Sequence, residues 1–313
     1  MPRSASARAA EPPDVIVGLA GLVLALALIS GCSLKTMAVK SMANTLSGSG
    51  DVFARDDDPE LIRDAVPFAL KTYESLLETV PEHEPLLLAT CRGFTQYAFA
   101  FVQLDSEKRQ HDDYPESKRL RDRALRLYLR GRGYCLRALD VRFGSIGAAP
   151  GLAVDPVLAQ AEREDVPLLY WTAASWGSAI ALAPDEPDLM IDFPVVRSLL
   201  QGAMDLDEPW EDGALHEVLI TIESLELLGG SEDRARQHFH RAVALQKGLS
   251  PGPYVALATS VSVANQNREE FERLLHEALA IDPNDDPGHR LATIITQDRA
   301  RWLLDHIDSL FSK

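Results

Sequence analysis

Histidine and carboxylate residues are the side chains of this sequence best suited to chemistry, and their spacing shows which reactions they could support. His216 and His276 are each followed by Glu, but the next residues are Val-Leu-Ile and Ala-Leu-Ala, so neither completes the HExxH motif of zinc hydrolases. His238 and His240 are two residues apart and would point to different faces of a helix. The GxxxxGK[ST] motif of phosphate-binding loops does not occur. We therefore expect no enzyme activity, no metal site and no cofactor.

Cys32 follows a short apolar segment near the N-terminus. Residues 15–29 are apolar or small and uncharged, which is short for a membrane span of about 20 residues but typical of a signal-peptide core. Residues 28–32, Leu-Ile-Ser-Gly-Cys, have the form of a bacterial lipobox, whose cysteine accepts a diacylglycerol. We predict cleavage before Cys32 and stable anchoring of lipidated Cys32 to a membrane. Ser33 favours the outer membrane, with the mature protein facing the periplasm.

Cys91 and Cys135 each lie within an apolar helical pattern. Cysteine is among the most frequently buried residue types, so buried and reduced thiols are the favoured interpretation. The periplasm also permits disulfides, and the sequence leaves a bond between the two cysteines open.

Two blocks of the sequence, 93–103 and 170–179, combine aromatic with small residues. The first is apolar nearly all round a helix, which places it centrally in the fold. One interpretation is plain core packing. The other is that the rings line an apolar cavity or channel, with the polar residues of the blocks as anchors. The candidate lining residues are Phe94, Gln96, Tyr97, Phe101, Tyr170, Trp171, Ser175 and Trp176.

A basic stretch, 118–142, stands out in an acidic chain, which has 31 Lys and Arg against 47 Asp and Glu and a net charge of −16. The stretch could pair with acidic residues of the same chain. Alternatively, it could dock an acidic partner or anionic head groups. The acidic balance and the compartment argue against nucleic acid as a partner. The candidate docking residues are Arg119, Arg123, Arg126 and Arg130.

Helical periodicity dominates the chain after residue 57, and no convincing run of strict alternation occurs, so the predicted class is all-α. Breaks between helices carry Pro or Gly. We predict a signal peptide at 1–31, a lipidated tether at 32–57 and one helical domain at 58–313. The predicted helices span 59–80, 85–104, 116–142, 155–164, 166–182, 194–206, 212–228, 231–246, 254–265, 268–281 and 287–311, with a loop at 144–154.

Several helices carry residues spaced as in the second helix of a tetratricopeptide unit, where a small residue at the helix crossing faces a large one four positions away. The spacing predicts a helix-hairpin array with cryptic tetratricopeptide-like repeats, coiled into an α-α superhelix. The residues are Ala69, Tyr73 and Leu76; Val196, Leu200 and Ala203; Ala235, Phe239 and Ala242; and Phe271, Leu275 and Ala278.

The chain resembles the TatT family, the lipoprotein T-components associated with TRAP (tripartite ATP-independent periplasmic) transporters. The resemblance covers nearly the whole mature chain, in the same order. It rests on the blocks LISGCSLKTMAVKSMA, GSGDVFARDDDPELIRDAVPFALKTYESLL, GFTQYAFAFVQ, LYWTAASWGSAIALA and GALHEVLITIESL.

The resemblance implies a periplasmic all-α lipoprotein with cryptic tetratricopeptide motifs that forms an oligomer, with a trimer expected. It implies pairing with a TRAP solute-binding protein and an apolar channel for hydrophobic or amphipathic organic acids. The alternative from the residues is an outer-membrane scaffold lipoprotein with tetratricopeptide-type repeats, which organises envelope assembly and needs no ligand cavity.

Overall fold

The computed structural model describes residues 37–48, 50–144 and 154–312, and these contain helices and no strand. The predicted all-α class is confirmed. The signal peptide, Cys32 and most of the predicted loop 144–154 lie outside the described residues. The helices are α1 (37–47), α2 (Gly50–Ala54), α3 (Pro59–Leu77), α4 (Glu84–Ala98), α5 (Leu104–Arg109), α6 (Tyr114–Phe143), α7 (Asp155–Leu158), α8 (Val166–Leu182), α9 (Pro187–Met190), α10 (Phe193–Asp207), α11 (Trp210–Glu223), α12 (Glu232–Leu245), α13 (Gly252–Leu257), α14 (Arg268–Leu279) and α15 (Arg290–Asp305).

Some of the predicted helix starts correspond to capped N-termini. Asp58 accepts hydrogen bonds from the backbone N–H groups of Glu60 and Leu61, with Pro59 in the first turn, so α3 begins where the sequence indicates. Asp113 caps α6 in the same way through the N–H of Glu116. These caps satisfy N–H groups that have no partner within the helix.

Several predicted helices differ in the structure. The predicted helix 85–104 ends its regular part at Ala98 and continues as a π-helical segment, Phe99–Gln103, before α5. The predicted helix 155–164 is short, because α7 stops at Leu158 and a 3-10 turn, Arg163–Asp165, precedes α8. A second π-helical segment, Ala258–Ser262, follows α13. Periodicity averaged over several turns does not resolve one inserted residue in a turn.

The larger hydrophobic cluster is built on the crossing of α4 and α6, against which α3 and α8 also pack. Gly131 lets the two helices approach, since a Cβ there would lie 3.1 Å from the Thr95 hydroxyl and 3.2 Å from the Cys91 carbonyl oxygen. One turn further along α6, a disulfide joins Cys91 to Cys135, with the Cα atoms 5.4 Å apart. The favoured expectation of reduced thiols is corrected, because helix packing brings together two residues 44 positions apart.

A second hydrophobic cluster holds α12 to α15 together and includes Ile220 of α11. All three C-terminal repeat patterns, on α10, α12 and α14, are buried in the core. These helices alternate with α11, α13 and α15 along the chain. The burial agrees with the pattern, and the tetratricopeptide-like repeats stay a prediction.

Helix α1, within the predicted tether, packs on the body of the protein. Ala43 is fully buried, Asn44 bonds His83 through the side chains at 3.0 Å, and Tyr73 donates to the Leu46 carbonyl at 3.1 Å. Among the described residues, no helix combines the length and the apolar composition needed to cross a membrane.

Candidate ligand pocket

A pocket of about 410 Å³ lies beside the larger hydrophobic cluster, against which its lining residues Tyr170, Trp171 and Trp210 pack. Four separate segments form it: α8, the start of α11, the connection from α12 to α13, and the turn before α15 together with α15 itself. Its lining residues are Tyr170, Trp171, Trp210, Glu211, Asp212, Ala214, Glu217, Leu245, Gln246, Lys247, Leu249, Ser250, Pro251, Gly252, Asp285, Asp286, His289, Ala292, Thr293 and Thr296.

Three aromatic rings form one wall of the pocket. The Tyr170 ring centroid lies 5.0 Å from that of Trp171, edge to face, and 4.7 Å from that of Trp210. All three rings are half-buried. Such a wall offers a large apolar area to a ligand.

The backbone after Trp210 is left-handed for three residues, with φ of 47° at Glu211, 52° at Asp212 and 88° at Gly213. This bend turns the chain before the regular part of α11 and leaves Trp210 beside Tyr170. Gly213 is required on two counts, since its φ suits glycine and a Cβ there would lie 2.8 Å from Leu245. Left-handed non-glycine residues store strain, which is common at binding sites.

Glu217 and Gln246 form the polar floor of the pocket. The Gln246 side-chain Nε2 donates to a Glu217 oxygen at 3.3 Å, and the Gln246 Oε1 is buried without a donor among the described residues. Burial raises the pKa of Glu217, and the hydrogen bond from Gln246 and the charge of His289 offset it only in part. The carboxylate lies against Gly252, where a Cβ would come within 2.2 Å of its oxygen.

The rim of the pocket is acidic. Glu211, Asp212 and Asp285 are exposed, and Asp286 is paired with His289 at 2.8 Å. Burial, followed by the negative charges of Glu217 and Glu211, raises the pKa of the Tyr170 hydroxyl. The pocket therefore carries a negative potential.

Lys247 and His289 are the basic residues of the lining. Within the part of the chain that the structure describes, neither comes within 4.0 Å of the Glu217 carboxylate. The Glu217 carboxylate therefore forms no ion pair among the described residues, and the charge of His289 acts on it only from a longer distance.

Residues 248–252, Gly-Leu-Ser-Pro-Gly, have the GxSxG spacing of a serine-hydrolase nucleophile turn, and the last four of them line the pocket. That turn needs a strand followed by a helix, whereas these residues join α12 to α13. The Ser250 hydroxyl accepts from the Gly252 N–H and, among the described residues, has no hydrogen bond to His289. The arrangement lacks the serine–histidine contact that activates a nucleophile. The described residues also contain no group of three or more His, Cys, Asp or Glu placed to hold a metal.

Tyr170 and Trp171 are the predicted lining residues that reach this pocket. Gln96 is exposed on α4. The other five are buried among α4, α6 and α8, where Phe94 stacks on Tyr134 at 6.0 Å between ring centroids. A channel role for these five stays a prediction. They are Phe94, Tyr97, Phe101, Ser175 and Trp176.

The four predicted docking residues differ in how far they are engaged within the chain. Arg130 contacts the buried Glu74 carboxylate and lies over the Phe94 ring, and Arg123 lies over Tyr97. Arg119 is exposed and bonds the neighbouring Glu116 on the same helix. Arg126 is exposed as well. Much of the basic stretch is thus paired internally, and a docking role stays a prediction.

Trp210, Glu217 and Gln246 are pocket residues that the sequence did not single out. No spacing links them to Tyr170, because they come from helices whose contacts are set by packing. Trp210, directly after the helix-breaking Pro209, was the one local signal of an unusual turn.

Fold and pocket together define a class, an all-α protein of packed helices with an open, aromatic-walled pocket of ligand size. A family model described as TRAP transporter T-component matches residues 55–311, so the chain belongs to the TRAP transporter T-component family. The resemblance to the TatT family is thereby confirmed. Members of this family are accessory components of TRAP transport and are associated with the periplasm or cell envelope.

A curated relative covers almost the same extent. The chain is 31% identical over 304 residues to an uncharacterized protein of Treponema pallidum (strain Nichols), a match that covers 91% of this chain and 94% of that protein.

Proposed function

We propose that this protein is a lipid-anchored, periplasm-facing accessory of a TRAP transporter that partners the transporter's solute-binding protein and holds or channels an organic ligand without chemistry of its own. The observation that carries the proposal is the pocket beside Tyr170, Trp171 and Trp210, whose aromatic wall and volume of about 410 Å³ suit a small organic molecule. Membership of the TRAP transporter T-component family supplies the transport context.

The ligand class follows partly from the resemblance and partly from the pocket. The resemblance implies a hydrophobic or amphipathic organic acid, and the aromatic wall supports the hydrophobic part. A ligand carboxylate, however, would face Glu217, Asp285 and Asp286 in a concave site, where like charges repel. We therefore keep the hydrophobic or amphipathic character and infer that the polar group bound in this pocket is not an anion.

Two further features of the proposal concern assembly. Cys32 would hold the mature chain on the periplasmic face of the outer membrane, since two or more acyl chains give stable anchoring. A homotrimer, as the resemblance implies, would place three such pockets near one membrane surface. The exposed Arg119 and Arg126 are the better docking residues for an acidic face of the solute-binding protein, because Arg123 and Arg130 are engaged within the chain.

The test is affinity capture of the tagged, lipidated protein from gently solubilised membranes, followed by native mass spectrometry. A soluble solute-binding protein in fixed stoichiometry, with added mass from a small ligand, is the expected result. Capture of integral outer-membrane or envelope-assembly proteins, without ligand mass, would contradict the proposal and favour the scaffold alternative.

A pair of charge reversals tests the docking face. Arg119→Glu with Arg126→Glu should weaken capture of the solute-binding protein, because two exposed positive charges on α6 become negative. Arg273→Glu with Arg301→Glu, at exposed positions on α14 and α15, makes the same change of charge elsewhere and is the matched control. Equal capture by both variants would remove α6 from the docking surface.

A further inference from the structure

We propose that the pocket between α8, α11, α13 and α15 binds an organic cation, an alkylated ammonium group with an apolar tail. The head group lies between the aromatic wall and the Glu217 carboxylate. Since holding a ligand in this pocket is part of the proposed function, the cation site rests on that function, but it does not depend on the solute-binding protein.

The aromatic wall supplies the first reason. The Tyr170 ring centroid lies 5.0 Å from that of Trp171 and 4.7 Å from that of Trp210, and a cation over the face of such a ring is attracted by its negative charge distribution. An alkylated ammonium gains most, because it is weakly hydrated and also buries its methyl groups against the rings. A neutral ligand would gain the apolar contact alone.

The floor supplies the second reason. Glu217 lies beneath the opening of the pocket without a Lys or Arg partner among the described residues, and its carboxylate rests on the bare Cα of Gly252. A carboxylate shielded from water and without an ion-pair partner is destabilised, so desolvation raises the pKa of Glu217, and the charge of His289 offsets this only in part. A bound cation would provide the missing charge.

The rim supplies the third reason. Glu211, Asp212 and Asp285 are exposed around the opening. Asp286 adds a fourth carboxylate, one oxygen of which lies 2.8 Å from Nδ1 of His289. Negative charge around a concave opening raises the local concentration of cations and excludes anions. Lys247 is the one amine of the described lining, and it is exposed at a left-handed turn.

The experiment uses three probes with the same six-carbon tail: hexyltrimethylammonium, hexanoate and hexanol. Each is titrated into the purified, mature full-length protein by calorimetry. We expect hexyltrimethylammonium to bind about tenfold or more tightly than hexanol, from the aromatic and carboxylate contacts. Hexanoate should bind more weakly than hexanol because of the acidic rim and floor.

Glu217→Gln tests the floor. It should reduce the affinity for hexyltrimethylammonium by about tenfold while leaving hexanol unchanged, since the shape of the pocket is kept and its charge is removed. Glu78→Gln makes the same substitution at an exposed position at the end of α3 and should change neither affinity. A Glu217→Gln variant with unchanged affinity for the cation would overturn the role of the floor.

If the Glu217→Gln variant does not fold, the affinity of the wild-type protein for hexyltrimethylammonium can be measured as a function of pH instead. Hexyltrimethylammonium has the same charge at every pH, so its affinity should rise with pH as Glu217 ionises. An affinity that is flat or falls with rising pH would overturn the proposal. The other titratable groups facing the pocket are Tyr170, Glu211, Asp212, Lys247, Asp285, Asp286 and His289.

The outcomes separate this proposal from the proposed function. Binding of hexanoate as tight as that of the ammonium would overturn the cation class and leave the ligand-holding function in place. Absence of binding by all three probes would overturn both the cation site and a ligand in this pocket. Cation binding without capture of a solute-binding protein would support the site and contradict the partnership.

Discussion

His216 and His238 show how single side chains tie this fold to pH. Their Nδ1 atoms lie 2.8 Å apart across α11 and α12, so one ring donates and the other accepts, and at least one is neutral. The Glu208 carboxylate contacts Nε2, the second ring nitrogen of His216, at 3.2 Å and also pairs with Arg241. Burial lowers the pKa of both histidines. The charged groups around the pair are Glu208, Glu223, Arg234 and Arg241.

We predict that the free energy of unfolding falls as pH drops below about 6.5, the ordinary pKa of histidine. Below that pH the unfolded chain takes up protons that the folded pair resists, whereas above it both states are neutral and the pair contributes no pH dependence. Each unit by which a folded pKa is lowered corresponds to about 1.4 kcal/mol. Urea unfolding at pH intervals of about half a unit between about pH 5 and pH 8 measures this change in the free energy of unfolding.

His238→Gln should flatten this slope, because it removes one titrating ring and the repulsion between two charged rings. His111→Gln, at an exposed position, is the matched control and should keep the wild-type slope. A slope unchanged in His238→Gln would assign the pH dependence to other groups.

Arg130 illustrates why the residue chosen for a binding test matters. Its guanidinium, with Lys71 and Tyr134, surrounds Glu74, which is buried on α3. Burial acts to raise the pKa of Glu74, but the three hydrogen bonds together lower it. Removing Arg130 would leave a buried carboxylate short of partners and destabilise the fold. A loss of partner binding in such a variant would therefore not identify a docking residue.

At the scale of elements, the crossing of α4 and α6 organises the larger cluster. Gly131 faces α4 at this crossing and is buried, whereas Gly133, two residues on, is exposed and has open space around its Cα. The two glycines lie in the same helix but differ in what an added methyl group would meet.

We predict opposite effects of the same substitution at these two positions. Gly131→Ala should destabilise the protein by about 1–3 kcal/mol, because its methyl group would press on the Thr95 hydroxyl and on the Cys91 carbonyl. Gly133→Ala should stabilise it by about 0.5–1 kcal/mol, since alanine loses less backbone freedom in a helix. The urea midpoints of the two variants, at unchanged m-values, measure both changes in stability. Equal effects would mean that α4 and α6 do not cross as described.

The disulfide between α4 and α6 gives a second prediction at this scale. Replacing both Cys91 and Cys135 by Ala should lower the free energy of unfolding by about 4 kcal/mol, from loop-closure entropy over a 44-residue separation. A reducing agent should lower the stability of the wild-type protein similarly and leave the double variant unaffected. Two free thiols at these positions in the native, air-oxidised protein would contradict it.

At the scale of the whole molecule, the pocket is lined by α8 and α11, which contribute to the larger cluster, and by α13 and α15, which contribute to the second. Ile220 of α11 belongs to the second cluster, while Leu215 and Leu219 of the same helix belong to the first. A ligand at this junction would touch both parts, so its binding would couple their relative positions. The predicted lipid at Cys32 would fix the whole assembly to a membrane.

The anchor has a direct test on the whole protein. Cys32→Ser should move the protein from the membrane fraction to the soluble fraction of the periplasm or leave it as an unprocessed precursor, because the acyl chains are lost. Ser33→Ala keeps the cysteine and is the control. A Cys32→Ser protein that stays in the membrane, unprocessed and functional, would show that residues 15–32 are not a lipoprotein signal.

Much of the architecture followed from local features of the sequence. The side-chain caps of α3, α6 and α14, the apolar periodicity and the Pro and Gly breaks depend on neighbouring residues, so the class and many of the helix boundaries could be predicted. The π-helical segments and the left-handed bend at Glu211 could not, because they depend on how a turn packs against other helices.

The sequence by itself determined the all-α class, the predicted lipobox at Cys32 and the family blocks, since each depends on residues close together in the chain. Only the tertiary structure decided that Cys91 pairs with Cys135 and that Tyr170, Trp210 and Glu217 share one pocket. The physical reason is that periodicity states which face of a helix is buried, but not which helix covers it. Contacts between distant segments are set by packing of the whole chain.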